Sequence, residues 1–405
     1  MGCVTPLGVG VDRFWKQLLA GESGAGPLTR FDASDYEVRI AAEVAEFDAG
    51  SFLARRDLKR TDRFVHYAVA SALLAVDDAC LRINDGNAER VGVYIGAGFG
   101  GMMTIEEQMT VIRERGPRWV SPLGVPTMIP DMASGYVSIL TGAKGPNSSV
   151  STACATGAHA IGDAANILRR GEADVMLAGG TAAAIAPLSF AGFINLRALT
   201  KKYNDDPKRA SRPFDALRDG FVMGEGAGVV ILETLEHATR RGAQILGEVA
   251  GYGMTGDAWH ITSPSASGEG VARAIRAALK DAGLEAEQVD HINGHATSTQ
   301  AGDAAEAAAY ALAFGERVSD VWVTATKGAT GHMLGAAGAV EAIATIMALK
   351  HGIVPPTINQ EKPDPACDLR IARNKPAVAE LHYAISNNSG FGGHNAVLVF
   401  ARAGR

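Results

Sequence analysis

Two stretches of the chain show the same order of apolar and polar positions. Residues 68–95 begin with an alanine-rich apolar run, continue through a polar loop, and end in a run of β-branched residues. Residues 271–293 repeat this order. An apolar run of this length predicts a helix, and a short β-branched run beside turn residues predicts a strand. Each stretch is therefore predicted to be a helix followed by a buried strand.

The parallel between the two regions continues further along the chain. Residues 149–154 are predicted to form a strand that enters a turn, before a helix at 157–170. Residues 321–326 are predicted to form a second such strand, before a helix from about 335 to 350. A strand that runs through a tight turn into a helix is the repeating unit of α/β proteins.

A buried strand is then predicted after each helix, at 174–178 and at 353–354. Matched elements in the same order indicate an internal duplication. We therefore predict an α/β fold of two similar halves, residues 1–245 and 246–405, joined around 235–250.

Two long connections interrupt this plan, at 103–130 and 187–213, and both are rich in Pro, Arg and Gly. Connections of this length inside a compact fold usually form a site or a dimer contact. The sequence also shows no signal peptide and no apolar run long enough to span a membrane. It opens on the turn-like MGCVTPLG, so we expect the natural protein to carry a few residues upstream, and a targeting segment is one alternative for their content.

Composition narrows the class of protein. Hydrophobic residues make up 47% and charged residues 20% of the chain, which is typical of a folded globular protein. A net charge of -6 argues against an extended nucleic-acid surface. The cysteines are far apart and form no CxxC pair, which argues against a zinc site and a disulfide framework. They are Cys3, Cys80, Cys154 and Cys367.

A glycine-rich segment at 96–101, GAGFGG, fits the G-x-G-x-x-G pattern of dinucleotide-binding loops and follows a predicted strand. That assignment also needs a second strand and an acidic residue about 20 positions further on. Residues 115–130 offer prolines and no strand. A nucleotide site is therefore disfavoured.

Cys154 lies within STACATGAHA, at a predicted strand-to-helix junction and among small residues only. Unpaired N–H groups and the helix dipole at such a junction favour a thiolate, and small neighbours keep the sulfur accessible. The alternative is a buried inert cysteine, which is the commoner fate of a free thiol. The turn alone does not decide between them.

Three further residues follow predicted strands in the second half: His295, Lys327 and His332. The carboxyl ends of parallel strands are where α/β sheets place their sites, and Cys154 lies at such an end in the first half. If the halves pair about a pseudo-twofold axis, these residues meet. A thiol with two imidazoles and a lysine suits a hydrolase, which needs a base and an orienting group, or an enzyme that stabilises an enolate. Spacing leaves both open.

Five long motifs resemble the β-ketoacyl-[acyl-carrier-protein] synthases of the thiolase superfamily, and the type II enzymes and their mitochondrial relatives most of all. The motifs are VSTACATGAHAIGDAANILRRGEADVMLAGGT, RPFDALRDGFVMGEGAGVVILE, NGHATSTQAGDAAE, KGATGHMLGAAGAVEA and GFGGHNAVLVF. The resemblance covers essentially the whole chain. It implies a thiolase-like five-layered αβαβα fold of two duplicated halves, and a homodimer.

The same resemblance implies an acyltransferase of fatty-acid synthesis. An acyl chain from acyl carrier protein (ACP) is transferred to the cysteine, and malonyl-ACP then loses CO2 and attacks the thioester to give 3-oxoacyl-ACP. No metal or redox cofactor is implied. The alternatives are a polyketide-type ketosynthase and a non-condensing partner subunit, and the presence of Cys154 counts against the second. The implied location is the bacterial cytoplasm, or the mitochondrial matrix or a plastid if a targeting segment precedes this sequence.

The resemblance also assigns roles to residues. Cys154 is the nucleophile, activated mainly by its helix N-terminus; His295 and His332 stabilise the enolate. Lys327 sets the local charge and is expected to pair with Glu306. The remaining roles fall into three groups: the oxyanion-hole amides of Cys154 and Phe391, the acyl gates Phe391 and Phe99, and the phosphopantetheine contacts Thr297 and Thr299.

The chain departs from the family pattern near the site. Gly294 and Ala296 reverse a usual pair of small residues, and Gln300 replaces a common proline. Ser389 stands where the family usually has a phenylalanine beside Phe391, which bears on gate closure and on acyl length.

A basic docking patch is also expected, because acyl carrier proteins are acidic. Without the resemblance, such a cluster is equally well explained as a solvated helix face. The first group of basic residues is predicted to share one helix and a second group lies apart: Arg55, Arg56, Lys59, Arg60 and Arg63, then Lys201 and Lys202.

Overall fold

The computed structural model describes residues 1–404, and within them the strands form two six-stranded sheets and two short ribbons. The strands of the first half are β1 (Gly2–Thr5), β2 (Gly8–Val9), β3 (Gly26–Pro27), β4 (Ile40–Ala41), β5 (Val91–Ala97), β6 (Asn147–Ser148), β7 (Val175–Ala182) and β8 (Gly226–Glu233). Its helices are α1 (Val11–Leu19), α2 (Arg55–Leu58), α3 (Arg63–Asp78), α4 (Met102–Arg115), α5 (Gly124–Met128), α6 (Met132–Thr141), α7 (Thr156–Arg169), α8 (Pro187–Asn195) and α9 (Leu235–Arg240).

The second half begins with the long strand β9. Its strands are β9 (Gly247–Gly256), β10 (His291–Asn293), β11 (Trp322–Thr324), β12 (Ile353–Val354), β13 (Arg370–Ile371), β14 (Ala377–Val378), β15 (Tyr383–Gly390) and β16 (His394–Arg402). Its helices are α10 (Glu269–Ala282), α11 (Gln300–Phe314), α12 (Lys327–Thr330) and α13 (Ala337–His351).

The two large sheets share one topology. The first has the order β2-β1-β8-β7-β5-β6 and the second the order β13-β11-β10-β15-β16-β9. In the first, β5 lies parallel to β6 and β7, and β7, β8 and β1 then alternate in direction. In the second, β10 lies parallel to β11 and β15, and β15, β16 and β9 alternate in the same way. The predicted duplication is confirmed.

The helices complete five layers in the order αβαβα. Helices α3 and α6 pack on the outer face of the first sheet, and α10 and α11 cover the second. Helices α7 and α13 lie between the sheets and contact both of them and each other. Every residue of α13 from Ala337 to Leu349 is buried, as expected of a helix enclosed on all sides. This confirms the thiolase-like architecture.

The two central helices approach each other through glycine. A Cβ at Gly157 of α7 would lie 2.6 Å from the backbone N of Ala339, and one at Gly338 of α13 would lie 2.6 Å from the backbone N of Ala158. Both distances are shorter than non-bonded atoms allow, so a side chain at either position would force the helices apart. The close contact of α7 with α13 therefore sets the distance between the two halves at this point.

Several predictions about individual elements are wrong. The long connections are partly helical, since they contain α4, α5 and α8. The counterpart of β7 is β15 and not Ile353–Val354, which pairs with Ala377–Val378 in a separate ribbon. Residues 149–152 form no strand, and the strand of this segment is Asn147–Ser148, which pairs with one side of β5. The opening residues Gly2–Thr5 form a strand rather than a turn.

Among residues 1–404, no helix combines the length and the apolar character needed to cross a membrane.

Candidate active site

Cys154 lies in a strained turn at the start of a central helix. Residues Ala153–Ala155 form a short 3-10 helix that leads directly into α7, and Ala153 has a φ of 49°, in the left-handed region that a non-glycine residue rarely adopts. The Thr156 hydroxyl secures the turn, because it accepts a hydrogen bond from Thr152 N (2.9 Å) and donates one to Ala153 O (2.7 Å). The turn therefore holds the Cys154 sulfur in one position.

The small residues around Cys154 are explained by close backbone packing. A Cβ at Gly390, the last residue of β15, would lie 2.4 Å from Thr152 O and 3.2 Å from Cys154 N. One at Gly157 would meet α13, as described above. Bulky residues here would separate the turn from the second half, so the composition of STACATGAHA serves packing as well as access to the sulfur.

The second half repeats this turn. A short 3-10 helix at Leu334–Ala336 leads into α13, and Leu334 has the same φ of 49° as Ala153. Gly335 occupies the position that Cys154 has in the first turn. A Cβ at Gly335 would lie 2.4 Å from the backbone N of Gly98, within the glycine-rich segment after β5. The glycines of GAGFGG therefore leave room for the turns at Cys154 and Gly335 to pack against this segment.

His332 touches the cysteine directly. Its Nε2 lies 2.9 Å from Cys154 Sγ. Backbone hydrogen bonds fix its position, since His332 N donates to Val222 O and Gly224 N donates to His332 O, both at 2.8 Å. The ring of His295 stands nearly perpendicular to that of His332, with centroids 5.3 Å apart. The structure therefore brings the predicted thiol and both imidazoles together.

Burial controls the protonation of this group. It raises the pKa of Cys154 to about 12, and the charge of Lys327 and the N–H groups of Phe391 and Cys154 only partly offset it. Burial and then the charge of Lys327 hold the pKa values of His295 and His332 well below their ordinary value. Burial therefore favours a neutral thiol beside neutral imidazoles, in the opposite direction to the effect of the helix N-terminus on the thiol pKa.

Lys327 pairs with Glu341 of α13, and the predicted pairing with Glu306 is wrong. Both partners are almost fully buried, and the other carboxylate oxygen of Glu341 accepts a 2.6 Å hydrogen bond from Asn388. Burial raises the pKa of Glu341, and Lys327 and Asn388 act against this. The sequence analysis missed Glu341, although it is the only charged residue in the apolar run 337–349.

Glu306 instead shapes the loop that carries His295. Its carboxylate accepts hydrogen bonds of 2.6 Å from His295 N and from Ala296 N. Tyr310 and Asn387 donate to the same carboxylate, at 2.6 and 2.8 Å. These bonds hold the backbone after β10 in a tight bend, which directs His295 towards Cys154.

A cavity of about 250 Å³ opens beside the cysteine. Its lining includes most of the predicted site residues: Cys154, His295, Thr297, Thr299, His332 and Phe391. Lys327 lies behind it, paired with Glu341. The Cys154 thiol, both imidazoles and the two threonines therefore surround one volume.

An aromatic cluster lies on one side of the cavity, with Phe193 at its centre. Phe193, Phe221 and Phe391 line the cavity, and Phe99 contacts Phe193 without lining it. The Phe193 ring lies 6.3 Å from Phe99, 6.2 Å from Phe391 and 5.4 Å from Phe221, measured between centroids. Phe221 in turn meets the edge of His332 at 5.2 Å. The two predicted gate residues are thus joined through Phe193, which sequence reasoning missed because it lies in a connection that gave no pattern.

The glycine loop that carries Phe391 is held by a neighbouring loop. Gly392 N donates to Ile261 O at 2.8 Å, and Asp257 N donates to Gly393 O at 2.9 Å. Ser389, where the family pattern has an aromatic residue, donates to Asn395 at 2.8 Å, so its hydroxyl is engaged away from the cysteine.

The basic residues do not share one helix. Arg55 and Arg56 lie on α2, Lys59 and Arg60 lie in the link after it, and all four are exposed. Arg63 begins α3 and is partly buried, with Nη1 3.7 Å from Glu225. Of the second group, Lys201 is paired with Glu37 and Lys202 is exposed. The exposed basic residues that lie close to one another in the sequence are therefore Arg55, Arg56, Lys59 and Arg60.

Comparisons with known proteins agree with this geometry. Residues 1–238 match the β-ketoacyl synthase N-terminal domain and residues 246–361 match the C-terminal domain of that family. The chain is 51% identical to 3-oxoacyl-[acyl-carrier-protein] synthase 2 of Synechocystis sp., over 99% of this chain and 96% of that one. It is 49% identical to the protein of that name from Staphylococcus aureus, over 99% and 97%.

Solved structures with the same fold include an ishigamide ketosynthase/chain length factor, with 37% identity and a TM-score of 0.92 over 100% of this chain and 98% of that one. A type II polyketide ketosynthase in complex with its acyl carrier protein matches with 33% identity and a TM-score of 0.90, over the same shares. A β-ketoacyl synthase from Burkholderia phymatum matches with 35% identity and a TM-score of 0.91, again over these shares. The chain belongs to the β-ketoacyl synthase family.

Proposed function

We propose that the chain condenses malonyl-ACP with an acyl group carried on Cys154, and so makes a 3-oxoacyl-ACP two carbons longer. The observation that carries this proposal is the contact of Cys154 Sγ with His332 Nε2, at 2.9 Å, in a cavity that His295 also lines. Relatives at 49–51% identity over nearly the whole chain bear the name 3-oxoacyl-ACP synthase 2. For the polyketide-type alternative, the two ketosynthase structures described above are 33% and 37% identical to the chain.

The first half-reaction moves the acyl group from ACP to the cysteine. Burial raises the pKa of the thiol, so the thiol is proposed to lose its proton as it attacks, and His332 Nε2 lies in hydrogen-bond contact to accept this proton. The backbone N–H groups of Cys154 and Phe391 lower the pKa of the thiol, and the same two groups are proposed to stabilise the oxygen of the attacked carbonyl as an oxyanion. The proton then passes to the departing ACP thiolate.

The second half-reaction removes CO2 from the malonyl group. Breaking the carbon–carbon bond leaves an electron pair that is delocalised onto the thioester oxygen as an enolate. A neutral imidazole can donate its single N–H to this oxygen, and burial favours the neutral form of His295 and His332. His332 accepts from Cys154 in the tautomer with its proton on Nδ1, and donates to the enolate in the tautomer with its proton on Nε2. The enolate carbon then attacks the Cys154 thioester, and the cysteine leaves as a thiolate that takes up a proton. We propose that this chemistry uses no metal or redox group.

The phosphopantetheine arm is proposed to contact Thr297 and Thr299. Both line the cavity, and their hydroxyl oxygens are 3.1 Å apart. Thr299 also caps α11, because its hydroxyl accepts a 3.2 Å hydrogen bond from Gly302 N. Because the two threonine hydroxyls hydrogen-bond each other with either one as donor, one hydroxyl hydrogen of the pair remains available to a carbonyl of the arm.

The function is tested by incubating the chain with malonyl-ACP and acyl-ACPs of graded chain length. Mass spectrometry of ACP should show 3-oxoacyl products longer by two carbons, and the same series gives the preferred acyl length. Formation of acetyl-ACP without any condensation product, at every acyl length, would contradict the proposal.

The exposed basic residues are proposed to dock the acidic ACP. We predict that the pair Lys59→Glu and Arg60→Glu raises KM for malonyl-ACP about tenfold and flattens its dependence on salt, because rim charges act chiefly on encounter. Lys144→Glu is the matched control, since Lys144 is exposed and lies 3.8 Å from Asp85. Steady-state kinetics at several salt concentrations check the prediction, and an equal rise of KM in the control would refute it.

We also propose that the chain is a homodimer. Strand β6 is a sheet edge with both residues exposed, and Ile139 and Leu140 of the adjoining α6 are exposed apolar side chains. Unpaired edge strands beside apolar surface favour association with another chain. Sedimentation should give twice the monomer mass.

A further inference from the structure

The loop of Thr297 and Thr299 is held from behind by one buried arginine. Arg218 lies in the segment that precedes β8, and its side chain is only 3% exposed. Its Nε donates to Thr299 O and its Nη2 donates to Gln300 O, both at 3.0 Å. These carbonyls belong to the cap and first residue of α11, so Arg218 bonds the backbone of the loop at its junction with the helix.

The opposite side of the guanidinium is anchored to fixed structure. Its Nη1 donates to Asp215 O at 2.9 Å and to the Asp364 carboxylate at 2.6 Å. Nε also lies 3.5 Å from the carboxylate of Asp303, which is fully buried. A planar guanidinium can serve several acceptors in fixed directions, which an ammonium group cannot do. Arg218 therefore bridges a rigid segment to the threonine loop.

The loop needs this support because its central residue is strained. Ser298 has a φ of 71°, which costs free energy in a residue with a side chain. Other bonds to this residue come from the same region: Arg212 N donates to Ser298 Oγ at 3.0 Å, and Gly220 N donates to Ser298 O at 3.1 Å. The strained backbone turns the side chains of Thr297 and Thr299 towards the cavity.

We propose that Arg218 is a positioning residue for the phosphopantetheine arm, acting through the carbonyls of Thr299 and Gln300. This inference rests on the proposed function, because it takes Thr297 and Thr299 as the residues that bind the arm. If the inference is correct, replacing Arg218 weakens binding of the arm and leaves the chemistry at Cys154 unaffected. The reason is that none of the hydrogen bonds of Arg218 reaches Cys154, His295 or His332.

The test compares two malonyl thioesters that differ in the phosphopantetheine arm and in the ACP that bears the arm. Malonyl-ACP carries both, and the S-ethyl monothioester of malonate lacks both. In Arg218→Lys, KM for malonyl-ACP should rise about tenfold with kcat nearly unchanged, the size expected for loss of two backbone hydrogen bonds. Decarboxylation of the S-ethyl thioester, and alkylation of Cys154 by iodoacetamide, should keep their wild-type rates.

Asp364→Asn is a second, milder variant that should also raise KM for malonyl-ACP. It weakens the ion pair of Arg218 Nη1 and keeps a side chain of the same size at position 364. Arg241→Lys is the matched control: Arg241 pairs with Glu233 and donates to Ala79 O at 2.8 Å, and it should change neither substrate. Equal losses on both thioesters, or an unchanged KM for malonyl-ACP in both variants, would overturn the inference. Absence of turnover of either thioester by the wild-type chain would instead overturn the proposed function.

Discussion

Replacing Cys154 by alanine should leave a folded chain that accepts no acyl group from acyl-ACP and whose condensation rate falls by at least about 10⁴-fold. The reason is that Sγ is the only atom in the cavity with a nucleophilic lone pair, a proton acceptor in contact and two N–H groups beside it. Alanine fits the same turn, because Ala153 and Ala155 already flank it. The change therefore removes the nucleophile and keeps the packing.

Intact-protein mass spectrometry after incubation with acyl-ACP measures this directly. The wild type should gain the mass of one acyl chain, and Cys154→Ala should gain none. Cys80→Ala is the control, because Cys80 is the exposed thiol in the described chain and its loss should leave acylation intact. An acyl mass retained on the Cys154→Ala protein would refute the assignment of the nucleophile.

His332→Ala should reduce malonyl-ACP decarboxylation by about 10³-fold, the usual effect of removing a donor to a developing oxyanion. Acyl transfer to Cys154 should fall less, by about 10²-fold, because a thiol that has lost its proton acceptor can still give its proton to hydroxide. Transfer should therefore recover as the pH is raised, whereas decarboxylation should not. No such substitute exists for a donor placed at the enolate oxygen.

The two half-reactions are measured separately, by release of labelled CO2 from malonyl-ACP and by acylation of Cys154. His295→Ala is an informative comparison, because His295 lies beside His332 but makes no hydrogen bond to Sγ. It should lose decarboxylation and retain acyl transfer near the wild-type rate. Equal losses of both half-reactions in His332→Ala, without recovery at high pH, would contradict its role at the enolate.

The sequence was sufficient to predict the duplication and the meeting of Cys154, His295 and His332. Both depend on strand order and on side chains at strand ends, which leave local patterns. It was not sufficient for the partner of Lys327. Glu306 is in a motif that also carries a site histidine, but the partner is Glu341, which reaches Lys327 only because α13 passes between the sheets. Such contacts depend on how helices cross.

The protonation state of Cys154 also could not be predicted locally. A helix N-terminus lowers the pKa of a thiol, and that expectation follows from a turn considered alone. The turn is, however, enclosed by the second half, and removal of water has the larger and opposite effect on the pKa. The burial of Cys154 arises only when the two halves pack together, so the motif around Cys154 does not predict it.

The paired turns at Cys154 and Gly335 show why a duplicated fold has only one nucleophile. Each half provides the same strained entrance to a central helix, yet both entrances adjoin the single backbone segment at Gly98. A side chain at Gly335 would collide with that segment, so the second entrance must stay bare for the first to carry its thiol. Lack of space therefore makes the two halves unequal: the first entrance carries a thiol, and the second packs against the backbone at Gly98.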